Sequence, residues 1–135
     1  MKTQEIISWI LRIIIAIIFL QTLYFKFTAH PDSVYIFSQL GLEPYGRIGL
    51  GIIELVTSVF ILIPRTKILG ILISFGIILG AIFSHFIVLG TNVKGDGGTL
   101  FFLALTILFC TLILIFINFS EILLFFKNFK NKILR

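Results

Sequence analysis

Four long apolar stretches dominate the pattern of hydrophobic and polar positions along this chain. They cover residues 6–27, 45–63, 68–89 and 98–119. Each is about 20 residues long, and an α-helix of that length crosses the roughly 30 Å hydrocarbon core of a bilayer. The pattern therefore predicts an all-α integral membrane protein whose four spans form a four-helix bundle.

Polar segments separate these stretches and predict two further helices. Pro31 follows His30 after the first span and can start a short helix in an outer loop, which the break at 41–44 would end. Beyond the fourth span, residues 121–135 mix apolar side chains with lysines, which is typical of an amphipathic interfacial helix. We expect residues 1–120 to form the four-span domain and residues 121–135 to form a basic, amphipathic cytoplasmic tail.

Composition and charge indicate how the spans are oriented. Hydrophobic residues make up 59% of the 135 residues, and the mean hydropathy is +1.15, which is high for a soluble domain. By the positive-inside rule, the flanks richer in Lys and Arg face the cytoplasm, which predicts that both termini are cytoplasmic. The net charge of +5 favours anionic lipid headgroups, and nucleic acid is not expected as a partner. The richer flanks hold Lys2, Arg65, Lys67, Lys127, Lys130, Lys132 and Arg135, and the poorer ones Lys26, Arg47 and Lys94.

Metal ligands and catalytic groups are sparse. The single cysteine, Cys110, lies among apolar residues of the fourth span, and the two histidines, His30 and His85, do not have zinc-site spacing with it. Neither a metal site nor a catalytic residue is expected from this pattern.

The ionisable residues inside the spans fall on single helical faces. Arg12 and Lys26 share a face of the first span, Arg47 and Glu54 share a face of the second, and His85 ends a polar face of the third. A charge within hydrocarbon needs a partner, a proton or a water-filled cavity, so these faces should point inward. We expect the five residues to form a binding pocket that opens to the outer side, with Arg12 at its floor.

Arg12 is the predicted counter-ion of Glu54. The rise per residue places the two about one helical turn apart in height, which a guanidinium side chain can span. Such a pair can also serve only to fix helix register, so a structural and a functional interpretation both stay open. The third span carries Gly76, Gly80 and Ser84, a small-residue series that permits close helix contact.

Several segments resemble a known family when they are taken in order. They are LYFKF at the end of the first span, GLEPYGRIGLGIIEL at the start of the second, RTKILG leading into the third, and GAIFSH near its end. Together they resemble the DoxX family of small four-helix bacterial membrane proteins over roughly residues 6–116. Lys26, Glu54 and His85 are the most telling positions. The resemblance implies a four-helix bundle with a buried polar site, located in the bacterial inner membrane.

Three functions stay open. The residues favour a non-catalytic accessory protein of the lipid bilayer that binds a lipid-like small molecule or a partner membrane protein. Some family members are linked to oxidoreductases, so the resemblance also implies a second function, a subunit that binds quinone as cofactor beside a redox protein. The third is a proton-coupled transporter, for which four spans are few unless the protein forms a homo-oligomer.

Overall fold

The computed structural model describes residues 2–135, and within them all regular secondary structure is helical. This confirms the all-α prediction. A π-helical turn, His85–Leu89, continues the fourth helix. The six helices are α1 (Thr3–Phe27), α2 (Pro31–Gln39), α3 (Tyr45–Leu62), α4 (Lys67–Ser84), α5 (Thr99–Ile117) and α6 (Phe119–Ile133).

The four long helices pack as a closed bundle in which α1 and α4 each lie between α3 and α5. We call the end that holds the start of α1, the α3–α4 turn and the start of α6 the terminal end. The opposite end, which holds α2, the π-helical turn and the loop before α5, is the loop end. The core between the helices is apolar and consists of Ile15, Ala16, Phe19, Ile61, Ile71, Ile78, Ala104, Ile107, Cys110 and Leu114.

The outward faces of the bundle are also apolar. The segments Thr3–Phe27, Tyr45–Leu62, Lys67–Leu89 and Thr99–Ile117 are long and apolar enough to cross a membrane, and 22% to 33% of an apolar 18-residue stretch in each is buried inside the protein. Large side chains such as Phe83, Phe109 and Phe116 are mostly exposed. An apolar surface that surrounds the whole bundle requires a lipid environment, so the chain is an integral membrane protein.

Helices α3 and α4 are in tight backbone contact at Gly70. A Cβ atom on Gly70 would lie 2.6 Å from the backbone nitrogen of Ile61 and 2.8 Å from its Cα atom. Among residues 2–135, in contrast, no atom would come within 4 Å of a Cβ atom on Gly76 or Gly80. The expected close contact at Gly76 and Gly80 is therefore not made within this chain. The tight contact with α3 lies at Gly70, which is nearer the α3–α4 turn.

Asp96 organises the loop that precedes α5. Its carboxylate accepts hydrogen bonds from the backbone N–H groups of Val93 (3.0 Å), Gly98 (2.8 Å) and Leu100 (3.1 Å). Burial alone would raise the pKa of Asp96, but these three donors and the charge of His85 outweigh it and hold the pKa below its ordinary value. Leu100 lies in the first turn of α5, so the same carboxylate caps that helix.

We expect Asp96→Ala to lower the free energy of unfolding at pH 7 by about 1 kcal/mol, the usual cost of losing a helix cap. Because the folded-state pKa is lowered, the contribution of the carboxylate is present above the ordinary pKa of about 3.9 and is lost as pH falls through the folded-state pKa. Thermal unfolding of both proteins at pH 7 and near pH 3 measures this, and the gap between them should shrink in acid.

The matched control for this variant is Asp32→Ala. Asp32 is a second loop-end aspartate, is more than half exposed, and pairs with Lys94 at 3.0 Å. Such a surface pair contributes little, so its removal should change stability by less than about 0.5 kcal/mol. If the difference in thermal stability between wild type and Asp96→Ala is the same at pH 7 and near pH 3, the Asp96 carboxylate does not stabilise the loop and α5 as a charged cap.

The C-terminal helix α6 is attached to the terminal end of the bundle. Ile122 is buried, and Glu121 pairs with Lys67 of α4 at 3.2 Å. The remaining apolar side chains of α6, such as Leu123 and Phe126, are exposed next to its lysines. The predicted amphipathic helix is therefore present and begins at Phe119. The division into domains at 120 and 121 stays a prediction.

Candidate functional site

A buried ion pair joins α1 to α3 near the loop end. The Lys26 Nζ atom lies 3.0 Å from Glu54 Oε2, and the two side chains are 11% and 7% exposed. The Thr22 hydroxyl, one turn before Lys26 on the same face of α1, lies 3.0 Å from the same Oε2 atom and 2.8 Å from the Phe19 carbonyl, and its one proton can be donated to either. Burial of both charges requires a short contact of this kind, because each ion loses its hydration shell on leaving water.

Glycine allows α1 and α3 to come close enough for this pair. A Cβ atom on Gly51 would lie 2.7 Å from the ring of Phe27, the last residue of α1. The ring therefore packs directly over the Gly51 backbone, one turn from Glu54. This packing holds the end of α1, and with it Lys26, against α3.

A second ion pair lies next to the first. Arg47 Nε donates to both carboxylate oxygens of Glu43, at 2.7 Å and 3.0 Å, across one turn at the start of α3. Its Nη1 atom donates to the backbone carbonyl of Lys26. Arg47 thus closes off the C-terminal end of α1, where carbonyl groups lack helical partners.

Together these residues form the loop-end cluster, which we define as Thr22, Lys26, Glu43, Arg47 and Glu54. Its two cations are balanced by its two carboxylates, so the cluster is electrically neutral. Lys26 keeps further N–H donors, and Glu54 Oε1 keeps acceptor capacity, because both contacts to this carboxylate use Oε2. The cluster can therefore donate and accept further hydrogen bonds without a net charge.

The predicted direct contact between Arg12 and Glu54 is not formed. Arg12 instead donates from Nη1 to the backbone carbonyl of Ile61 at 3.1 Å, and its guanidinium stacks over the Trp9 ring at 3.9 Å. The reason is the position of Arg12 along the helix axis. Thr22 of α1 lies beside Glu54, and Arg12 lies ten residues, about 15 Å, further toward the terminal end. Lys26 reaches Glu54 from the nearer side.

His85 lies at the loop end but its contacts are with other residues. Its Nδ1 atom is 2.8 Å from the carbonyl of Gly90, and its ring packs edge-on against Phe101 at 5.3 Å. The Gly90 N–H group donates back to the His85 carbonyl at 2.8 Å, which closes the π-helical turn. Because a carbonyl can only accept, Nδ1 is the donor in this hydrogen bond.

Of the five predicted site residues, the structure brings Lys26, Arg47 and Glu54 together. Arg12 lies at the terminal end, and His85 is held by Gly90 and Phe101. All five are largely buried, as the polar faces predicted. Sequence reasoning missed Thr22 and Glu43, although each lies four residues before its charged neighbour, Lys26 or Arg47, and so shares its helical face.

Comparison with known proteins supports the family resemblance. The model of the DoxX-like family matches residues 10–116, which is most of the chain and includes all four spans in whole or in large part. Neither a curated protein nor a solved structure matches the chain.

Proposed function

Because this chain belongs to the DoxX-like family, we propose that it is a non-catalytic accessory protein of the bacterial inner membrane that binds an uncharged, lipid-like molecule at the loop-end cluster. The observation that carries the proposal is the Lys26–Glu54 ion pair, held between two membrane-spanning helices with Thr22 beside it. Ionisable groups at such a depth are costly and usually mark a site that is used.

The electrical neutrality of the loop-end cluster favours an uncharged ligand. A charged headgroup would have to displace Glu54 from Lys26 or Glu43 from Arg47, and would leave the displaced partner without its counter-charge. An uncharged headgroup with hydroxyl or carbonyl groups keeps both pairs intact. It can accept from Lys26 and donate to Glu54 Oε1, while its apolar body stays in the surrounding hydrocarbon.

Quinone binding is the alternative that the same residues support. A quinone carbonyl can accept a hydrogen bond from Lys26, and a hydroquinone hydroxyl can donate to Glu54. In that case the protein would serve as the quinone-binding subunit of an oxidoreductase complex, and a partner protein would supply the electrons.

The test is binding by purified protein of two probes, a monoacylglycerol and a short-chain ubiquinone, compared between wild type and Thr22→Val. This substitution keeps the shape of Thr22 and the ion pair but removes the hydroxyl that lies within hydrogen-bond distance of Glu54. We expect about three- to tenfold weaker binding of the monoacylglycerol, equivalent to one hydrogen bond. The matched control is Thr106→Val, a lipid-facing threonine of α5 whose hydroxyl bonds its own helix.

The outcomes of this titration separate the proposals. A loss confined to the monoacylglycerol supports the accessory function, and a loss confined to the ubiquinone favours the quinone alternative. Equal binding of both probes to wild type and Thr22→Val would refute a ligand site at the loop-end cluster.

We also propose that the terminal end faces the cytoplasm, on the basis of the seven Lys and Arg residues predicted for that side. Gln39→Cys at the loop end and Asn131→Cys on α6 both place a thiol at an exposed position. In intact cells an impermeant maleimide should label the first and spare the second. Labelling of Asn131→Cys alone would show that the protein has the opposite orientation. Cys110 is buried, so it gives little background.

A further inference from the structure

A cavity opens at the terminal end, far from the loop-end cluster. It has a volume of about 380 Å³ and lies between the first turns of α1, the α3–α4 turn and the start of α6. Ser8, Trp9 and Arg12 form its inner wall on α1, and it is also lined by Lys67 at the start of α4 and by Asn118 between α5 and α6. We call it the terminal cavity.

Arg12 is incompletely satisfied within this cavity. The residue is 3% exposed, and its Nε atom finds no hydrogen-bond partner among residues 2–135. The Ser8 hydroxyl, one turn earlier on the same face, likewise has none within that range. Arg12 takes part in none of the ion pairs within residues 2–135. The cations of those pairs are Lys26, His30, Arg47, Lys67 and Lys94. A buried guanidinium with no carboxylate in direct contact is costly inside a membrane protein.

The backbone of the terminal cavity adds to this positive field. Helices α1, α4 and α6 all begin at this end, and residues near the start of each line the cavity. The N-terminus of a helix carries a partial positive charge and free N–H groups. Two acidic residues also line the cavity: Glu121 pairs with Lys67 and its charge also acts on Arg12, and Glu5 is exposed.

We propose that the terminal cavity binds a phosphate group, with Arg12 Nε and the Ser8 hydroxyl as its buried donors. A phosphate offers several acceptor oxygens and one or two negative charges, which is what the inner wall lacks. The guanidinium carbon of Arg12 lies 3.9 Å from the centre of the Trp9 ring, which covers one face of the group. Arg12 Nε and the Ser8 hydroxyl are enclosed, so a phosphate reaches them only when a neighbouring side chain moves. The phosphate is either the headgroup of a phospholipid from the leaflet at this end or free inorganic phosphate.

The exposed surface next to the cavity favours a phospholipid as the source. Arg65 lies in the α3–α4 turn, Lys67 begins α4, and the basic, amphipathic helix α6 begins at the cavity. Basic residues beside an apolar helical face attract anionic headgroups at a membrane surface.

The experiment uses full-length protein in detergent. Native mass spectrometry measures retained phosphatidylglycerol and phosphatidylcholine, and a thermal-shift titration uses inorganic phosphate. We compare wild type with Arg12→Gln, Ser8→Ala and the charge-matched control Lys132→Gln, which removes an exposed cation of α6 away from the cavity. We expect Arg12→Gln to weaken phosphatidylglycerol binding about tenfold or more, and Ser8→Ala to weaken it about threefold, with Lys132→Gln near wild type.

The outcomes distinguish a phospholipid headgroup from free phosphate, or show that the terminal cavity binds neither. A selective loss of phosphatidylglycerol in Arg12→Gln and Ser8→Ala establishes a phospholipid headgroup. A loss of the thermal shift with inorganic phosphate in the same variants, with lipid binding unchanged, establishes a free anion. If Arg12→Gln does not fold, Ser8→Ala alone carries the test. Equal effects of Ser8→Ala and Lys132→Gln on both measurements would overturn the proposal.

Discussion

Glu54→Gln should destabilise the folded protein by about 3 kcal/mol or more, because it leaves the Lys26 ammonium buried without its counter-charge. The variant keeps the size of the side chain, so the loss reports on charge rather than on packing. Unfolding of the purified protein, followed by circular dichroism during titration with a denaturing detergent, measures the change.

The double variant Lys26→Met with Glu54→Gln tests whether this cost comes from the pair. Removal of both charges leaves no uncompensated ion, so the double variant should be more stable than Glu54→Gln alone. Glu121→Gln is the matched control, since Glu121 also pairs with a lysine but its side chain is 56% exposed, and such pairs contribute below about 1 kcal/mol. If the stability losses of Lys26→Met and Glu54→Gln simply add in the double variant, the two residues do not form an interacting pair.

Gly70→Ala should separate α3 from α4 and cost about 2–3 kcal/mol, which is the upper range for overpacking. The added methyl group would meet the Ile61 nitrogen at 2.6 Å, and a backbone atom cannot turn away as a side chain can. The same substitution at Gly76, where the described chain leaves open space around the new atom, should be neutral or slightly stabilising, because alanine favours helix over glycine by up to about 1 kcal/mol.

The thermal stabilities of the two alanine variants, measured in the same detergent, give the comparison directly. Both changes add one methyl group to α4, so any difference between them reports on the contact with α3. Equal losses at Gly70 and Gly76 would mean that the tight approach at Ile61 does not hold the two helices together.

The helices were predictable because span length and apolar composition depend on local sequence. The boundaries of α3 and α5 lie within about two residues of the predicted stretches, and the break at Pro31 starts α2 as expected. The π-helical turn was not predicted, since it depends on the bond between His85 and Gly90 that closes it. No periodicity in the sequence signals that bond.

The inward-facing polar faces of the helices were predictable as well. The ion pairs that form between these faces were not. Burial of Arg12 and Glu54 follows from helical geometry, because each shares a face with small or polar neighbours. The choice of counter-ion depends on how far α1 and α3 slide along each other, and a single sequence does not record that offset. The phenyl ring of Phe27 over Gly51 sets it in the structure and places Lys26, rather than Arg12, at the level of Glu54.

The ion pair between α1 and α3 also has a consequence for how the chain enters the membrane during synthesis. α3 has the lowest mean hydropathy of the four spans, 1.6, and carries both Arg47 and Glu54, so it is the span least able to partition into lipid alone. Arg47 is balanced by Glu43 of the preceding segment, but the charge of Glu54 is balanced only when α1 is still close by with Lys26. We therefore expect α1 to wait beside the translocon until α3 emerges, so that the two leave as a hairpin-like unit rather than one after the other.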